Sequence, residues 1–197
     1  MKFKLFGTEI YISFLFAAVV SLCFAMDRTG LMLPTFLSVL LHETGHLLVM
    51  KQTGCAPSAI RLIPASVQII RPFCKKPRDE VLIALAGPLC NFVSSILFGL
   101  FWLWVRVDAV LRISLINLIL GVFNLLPVTG LDGAALLYAL LTKRFSPERA
   151  VFFLRTLTFI FSGAALLLGV LLALRGRLNP SFFILALYFL LAALLKI

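Results

Sequence analysis

Acidic residues and histidines are scarce in this chain, with eight Asp and Glu and two His against 18 Lys and Arg in 197 residues. Charged residues amount to 13% of the whole, roughly half the share of an ordinary soluble domain, which excludes a broadly solvated charged surface. The four cysteines, Cys23, Cys55, Cys74 and Cys90, include no C-x-x-C pair. Their scatter predicts free thiols, with no disulfide framework and no cysteine-based metal site. Internal repeats and low-complexity linkers are also missing, so one integral-membrane domain is expected over residues 1–197. A net charge of +10 would suggest nucleic acid in a soluble protein. Here the basic residues lie mainly between apolar runs, where they report membrane topology, and no nucleic-acid partner is expected.

Apolar residues are what the chain has in excess, at 62% of the total with a mean hydropathy of +1.11. Runs long enough to approach or cross a bilayer occupy residues 10–26, 31–50, 81–105, a stretch from 113, 150–174 and 181–195. The first follows Lys2 and Lys4 as a secretory signal would, but Cys23-Phe24-Ala25 is a poor cleavage site, so an uncleaved span is expected. Two segments break the helical pattern. Residues 7–13 alternate β-formers, and residues 60–71 are rich in β-branched side chains, with Pro64 restricting that strand to an edge. The fold class expected is an all-α polytopic membrane protein of about six transmembrane helices, with a short strand or hairpin beside its site.

Basic residues orient it. Lys51, Arg61, Arg71, Lys75, Lys76 and Arg78 crowd one loop; with Lys2, Lys4, Lys143, Arg144, Arg149 and Lys196 they put twelve on one side. Five lie on the other, Arg28, Arg106, Arg112, Arg175 and Arg177. The positive-inside rule then places both termini and the long loop in the cytoplasm, in a multi-pass protein of the cytoplasmic membrane, bacterial in this reading.

Within the second apolar run stands His42-Glu43-Thr44-Gly45-His46. A histidine in an apolar setting is ordinarily a satisfied core residue. Three ionisable groups inside a lipid-length segment are costly, however, and such groups are functional by default. On a helix His42 and His46 lie one turn apart on one face and can share a zinc ion, while Glu43 can serve the attacking water. The pair sits in the half of the run nearer Lys51, hence near the cytoplasmic face.

A catalytic zinc takes three protein ligands, and both histidines are used, so the third should be a carboxylate. Asp27 and Asp108 belong to the opposite loops, and Glu9, Asp79, Glu80 and Glu148 to solvated flanks; Glu43 is needed as base. Asp132 alone is embedded, in Asn124-Leu125-Leu126-Pro127-Val128-Thr129-Gly130-Leu131-Asp132-Gly133, a broken helix of the kind tolerated only where protein or water satisfies the freed backbone. A transporter would share the broken helix and the buried Asp, but no inverted repeat is visible. A non-catalytic membrane scaffold would have no use for the complete constellation.

Three ordered motifs, His42-Glu43-x-x-His46, Ala86-Gly87-Pro88-x-x-Asn91 and Asn124-x-x-Pro127-x-x-x-Leu131-Asp132-Gly133, resemble those of the site-2 protease family of intramembrane zinc metalloproteases. The resemblance implies Zn2+ on His42, His46 and Asp132, with Glu43 as general base and acid. It implies substrate contacts at Asn91, Asn124 and Pro127 and along a strand including Val67 and Ile69. The substrate would be a membrane-associated precursor cut in or beside a transmembrane segment, with regulatory membrane partners. The short six-span layout looks most like the stage IV sporulation protein FB subgroup, whose members commonly carry a CBS domain that these 197 residues do not include.

Overall fold

The computed structural model describes residues 2–5, 8–63, 66–72, 74, 76–176 and 180–195, and most of the chain is helical. In chain order the elements are β1 (Lys2–Leu5), β2 (Thr8–Ile12), α1 (Phe14–Met26), α2 (Met32–Gln52), β3 (Ala59–Ile63), β4 (Ser66–Ile70), α3 (Pro77–Val105), α4 (Asp108–Asn124), α5 (Asp132–Leu141), α6 (Pro147–Leu174) and α7 (Pro180–Leu195). The chain divides into two compact units, 1–122 and 123–197.

In the first unit the strands form one sheet in the order β1-β2-β3-β4. β2 runs parallel to β3, with Ile10 opposite Ile60, whereas β3 and β4 form an antiparallel hairpin with Ile60 opposite Ile69 and Leu62 opposite Val67. The single strand expected over 60–71 is therefore two strands, and Pro64 lies outside the described residues. β4 does form an edge. The parallel pairing also takes Ile10 to Ile12 out of the first apolar run, so α1 begins at Phe14 and has 13 residues.

Length and composition suffice for membrane crossing in three described helices, α2, α3 and α6; α1, α5 and the described part of α7 are apolar but shorter. The burial pattern of α2 fits a lipid setting. Ser38, His42, Gly45, His46 and Met50 face inward, while Leu33, Leu37, Leu40, Leu41 and Leu48 are exposed. Water would favour the opposite arrangement; hydrocarbon favours leucine outside and polar groups paired within. At the far end of α3, Arg106 closes the helix at a φ of 54°, with its guanidinium 5.0 Å from the Trp102 ring, an aromatic–basic pairing typical of a membrane interface. The next helix starts immediately, at Asp108, five residues earlier than the apolar run suggests.

The turn before α2 is built on Asp27. Its Oδ1 accepts from the Thr29 N–H at 2.9 Å, the Thr29 hydroxyl at 2.7 Å and the Gly30 N–H at 3.0 Å. Its Oδ2 accepts from the N–H of Met32, the first residue of α2, at 2.9 Å. These bonds, that from Met32 foremost, hold the carboxyl at about 2, below its ordinary 3.8. Because the folded value is the lower one, the stabilisation is fully present above the ordinary value and disappears as pH falls through about 2. Thermal melts of detergent-solubilised protein should show this component declining from about pH 4 to pH 2. Asp27→Asn should lack it, and an equal decline in both proteins would exclude Asp27 as its source.

Cys55 and Cys74 are joined in a disulfide with Cα atoms 5.7 Å apart, which corrects the expectation of four free thiols; Cys23 and Cys90 are free. The bond ties the exit of α2 to the approach to α3 across the β3–β4 hairpin. Around it Met50, Cys55 and Ile83 form a small core with Leu47 and Ile69 packed on it. Nearby, Arg71 makes a two-pronged pair with Glu80, whose Oε1 also accepts the Cys74 N–H at 2.8 Å. Glu80 is thus a structural anchor for the start of α3 and not the solvated flank anticipated.

In the second unit the chain between α4 and α5 is non-helical from 125 to 131, which is the break expected from Pro127 and the two glycines. Val128 is fully buried. The Thr129 N–H donates to the Thr158 Oγ1 of α6 at 3.0 Å. A Cβ at Gly133 would lie 2.2 Å from the Leu125 carbonyl oxygen, so only glycine lets the loop fold back over the first turn of α5. α6 packs along α7, with the Ser162 hydroxyl donating to the Ala186 carbonyl at 2.8 Å. Ser146 occupies the N-cap position of α6, but its side chain makes no capping bond.

Candidate metal centre

The site begins with the inward face of α2. One turn apart, His42 and His46 are both buried, and their Nε2 atoms lie 3.2 Å from each other. Glu43, the next residue after His42, is half-buried and lies about 100° away around the helix.

Each ring is oriented through its other nitrogen. His46 Nδ1 donates to the main-chain carbonyl of Ile83 at 2.7 Å. His42 Nδ1 lies 2.5 Å from Asn91 Oδ1. Both acceptors belong to α3, in the turns around Pro88. That proline has no N–H for the Ala84 carbonyl, and its ring crowds that turn. With a proton on each Nδ1, the two Nε2 atoms bring lone pairs to within contact distance. Two converging imidazole lone pairs suit a shared cation, and outer acceptors on Nδ1 are the usual support of a metal-binding histidine.

Gly87 makes the cradle possible. A Cβ there would stand 2.3 Å from His46 Nε2 and 2.7 Å from His42 Nε2, so a side chain would occupy the volume of the rings' ligating atoms. Gly45, inside the histidine motif, is also closely held: a Cβ would be 2.7 Å from the Ala86 carbonyl oxygen. The helix pair α2/α3 is therefore close-packed through glycine on both sides, and the donor chemistry of the pair fits zinc.

The other acids are largely occupied or exposed. Glu9 accepts from Tyr11 at 2.7 Å, Asp27 is used by its turn, and Glu80 by Arg71; Asp108 and Glu148 are exposed. Asp132 is half-buried and opens α5. Of the expected substrate contacts, Asn91 is fully buried, with its amide bonded to His42, Ser38 and Asn117. Asn124 ends α4 and Pro127 lies in the following break. Val67 and Ile69 lie on the edge strand β4, where Ile69 packs on the core that contains Ile83. Sequence reasoning passed over Ser38 and Asn117, two polar residues in apolar runs that the network draws to His42; a lone amide in such a run is the signal that would have drawn attention to them.

Lipid-length helices with leucines outside and a histidine pair within define a membrane-embedded metalloprotein. Comparison with known proteins sharpens this. The family model of peptidase family M50 matches residues 104–170. A zinc metalloprotease of Methanocaldococcus jannaschii is 31% identical over 156 residues, covering 73% of this chain and 45% of that protein. Rip3 of Mycobacterium tuberculosis, whose name places it provisionally among zinc metalloproteases, is 33% identical over 116 residues, covering 54% of this chain and 30% of its own length. The chain thus spans less than half the length of these curated relatives. A solved site-2 protease from Methanocaldococcus jannaschii matches with a TM-score of 0.72 at 27% identity, covering 98% of this chain and 93% of that one. Together these likenesses support assignment to the peptidase M50, site-2 protease, family.

Proposed function

We propose that this protein is a zinc-dependent intramembrane endopeptidase that hydrolyses a peptide bond within or next to a transmembrane segment of a membrane-associated protein. The observation that carries the reading is the buried His42–His46 pair, with both Nδ1 atoms held by outer acceptors and both Nε2 atoms converging over Gly87. Asp132 is the third ligand in this proposal, giving with the two imidazoles a donor set suited to a catalytic zinc. The engagement or exposure of most other carboxylates supports the choice. A bound zinc would supply Lewis acidity, polarising the scissile carbonyl and lowering the pKa of a coordinated water to about 7. Glu43 takes the proton from the attacking water and returns it to the leaving amine. The outer acceptors Asn91 and Ile83 pre-orient His42 and His46 as ligands.

A helical substrate hides its carbonyls in hydrogen bonds and must unwind before hydrolysis. The exposed edge of β4, with Val67 and Ile69, offers main-chain partners for the extended segment, and Asn124 and Pro127 shape the approach. In the wider proposal the chain crosses the membrane six times with both termini in the cytoplasm, resembles the stage IV sporulation protein FB subgroup and acts in regulated intramembrane proteolysis. Excess basic residues on one side support this topology. A reporter fused after Lys76 should read cytoplasmic; an external signal would invert the arrangement. The substrate is sought by comparing membrane proteomes of cells carrying wild-type protein and Glu43→Gln. A precursor that accumulates uncut only with the variant identifies it, and indistinguishable proteomes under conditions of expression would count against the proteolytic reading.

A further inference from the structure

His46 and His42 reach their outer acceptors by different routes. The Ile83 carbonyl that holds His46 is an acceptor and nothing else. His42 faces a carboxamide, which can present an oxygen or, after a half-turn, an NH2 group. Something must decide which way Asn91 points.

That decision can be followed residue by residue. Asn91 Nδ2 donates to the Ser38 carbonyl at 3.3 Å and to Asn117 Oδ1 at 2.9 Å. Asn117 Nδ2 in turn donates to the Ile113 carbonyl, one turn back in α4, at 3.0 Å and to the Ser38 hydroxyl at 2.9 Å. Asn91 and Asn117 are fully buried and Ser38 is 1% exposed, so water cannot substitute for a misdirected partner. Turning Asn117 over would set its oxygen against the Ile113 carbonyl and its NH2 against that of Asn91. Turning Asn91 over would set its oxygen against two acceptors and its NH2 against His42 Nδ1. In that last state the imidazole proton would move to Nε2, the nitrogen a metal needs with its lone pair available.

We infer that Asn117, acting with Ser38 through Asn91, is a positioning residue for the metal centre: it locks the polarity of the Asn91 amide and so keeps the His42 proton on Nδ1. The lock is anchored at the Ile113 and Ser38 carbonyls, whose polarity is invariant. The hydrogen bonds of Asn117 go to Asn91, Ser38 and Ile113, and it acts on His42 through Asn91. It extends the proposed zinc site to α4, and the inference rests on that proposed function only for its metal-binding consequence, because the tautomer is a property of the metal-free protein.

Two histidines in the chain make the test direct. Metal-free protein with 15N-labelled imidazoles, in detergent micelles at about pH 8 where imidazole is ordinarily neutral, should show both rings protonated on Nδ1. Asn117→Leu should shift His42 towards the Nε2–H form, leave His46 unchanged and weaken zinc binding by about 10–100-fold in chelator competition. In an Asn91→Asp background the residue presents an oxygen to His42 in either orientation, so adding Asn117→Leu there should change zinc affinity by less than about threefold, well below the usual outer-partner loss. An unchanged His42 tautomer in Asn117→Leu would overturn the inference. So would equal changes at both histidines, which indicate general loosening, or the same affinity loss in both backgrounds. Wild-type protein that binds no zinc while its His42 tautomer still responds to Asn117→Leu would defeat the proposed function and leave the lock standing.

Discussion

Glu43→Gln should bind zinc as the wild type does and lose peptide hydrolysis by about 10²–10⁴-fold, the contribution of a positioned general base. The substitution keeps the size and polarity of a half-buried side chain on α2 but removes its ability to accept and return a proton. Metal retention follows from geometry, since Glu43 is turned away from the histidine face by one residue step. Paired measurements of bound zinc and of cleavage of a membrane-protein substrate separate the roles. Lost metal would make Glu43 a ligand; unchanged cleavage would remove it from the chemistry.

Gly87→Ala should abolish high-affinity zinc binding although it adds one methyl group. The new Cβ would lie 2.3 Å from His46 Nε2 and 2.7 Å from both His42 Cε1 and Nε2. Ring tips can ordinarily swing aside, but these rings are pinned through Nδ1 to Ile83 and Asn91. Moving them breaks an outer hydrogen bond or misdirects a ligating atom, either of which costs at least about 10–100-fold in affinity. Gly163→Ala, on α6, is the matched control: nothing lies within 4 Å of the added atom, and replacing glycine in a helix interior ordinarily stabilises it by about 0.5–1 kcal/mol. Its zinc affinity should equal that of the wild type. Equal zinc affinity in Gly87→Ala would mean that the histidines do not meet a metal above this glycine.

The parts legible in the sequence are those written in local pattern. Histidines four apart in an apolar run predicted a shared helix face, and the cluster Pro127, Gly130, Gly133 predicted the interruption between α4 and α5, because glycine and proline act on the backbone where they stand. Pairings between distant segments were less visible. Residues 10–12 read as the beginning of a span, yet parallel pairing with β3 claims them for the sheet and shortens α1. Cys55 and Cys74 stand 19 residues apart with nothing local to join them; the hairpin between them does. Asn91 is legible as part of a motif, but its partners Ser38 and Asn117 stand on other helices and meet it only where α2, α3 and α4 come together. Glu80 looked solvated because Arg71, nine residues away, must fold back on it.

Zinc stoichiometry across a short ligand series tests the central claim most directly. Purified wild-type protein should carry about one zinc per chain, the number a three-ligand catalytic site holds, and His46→Ala and Asp132→Ala should each carry almost none while remaining folded by circular dichroism. Full zinc occupancy in folded Asp132→Ala would contradict the account.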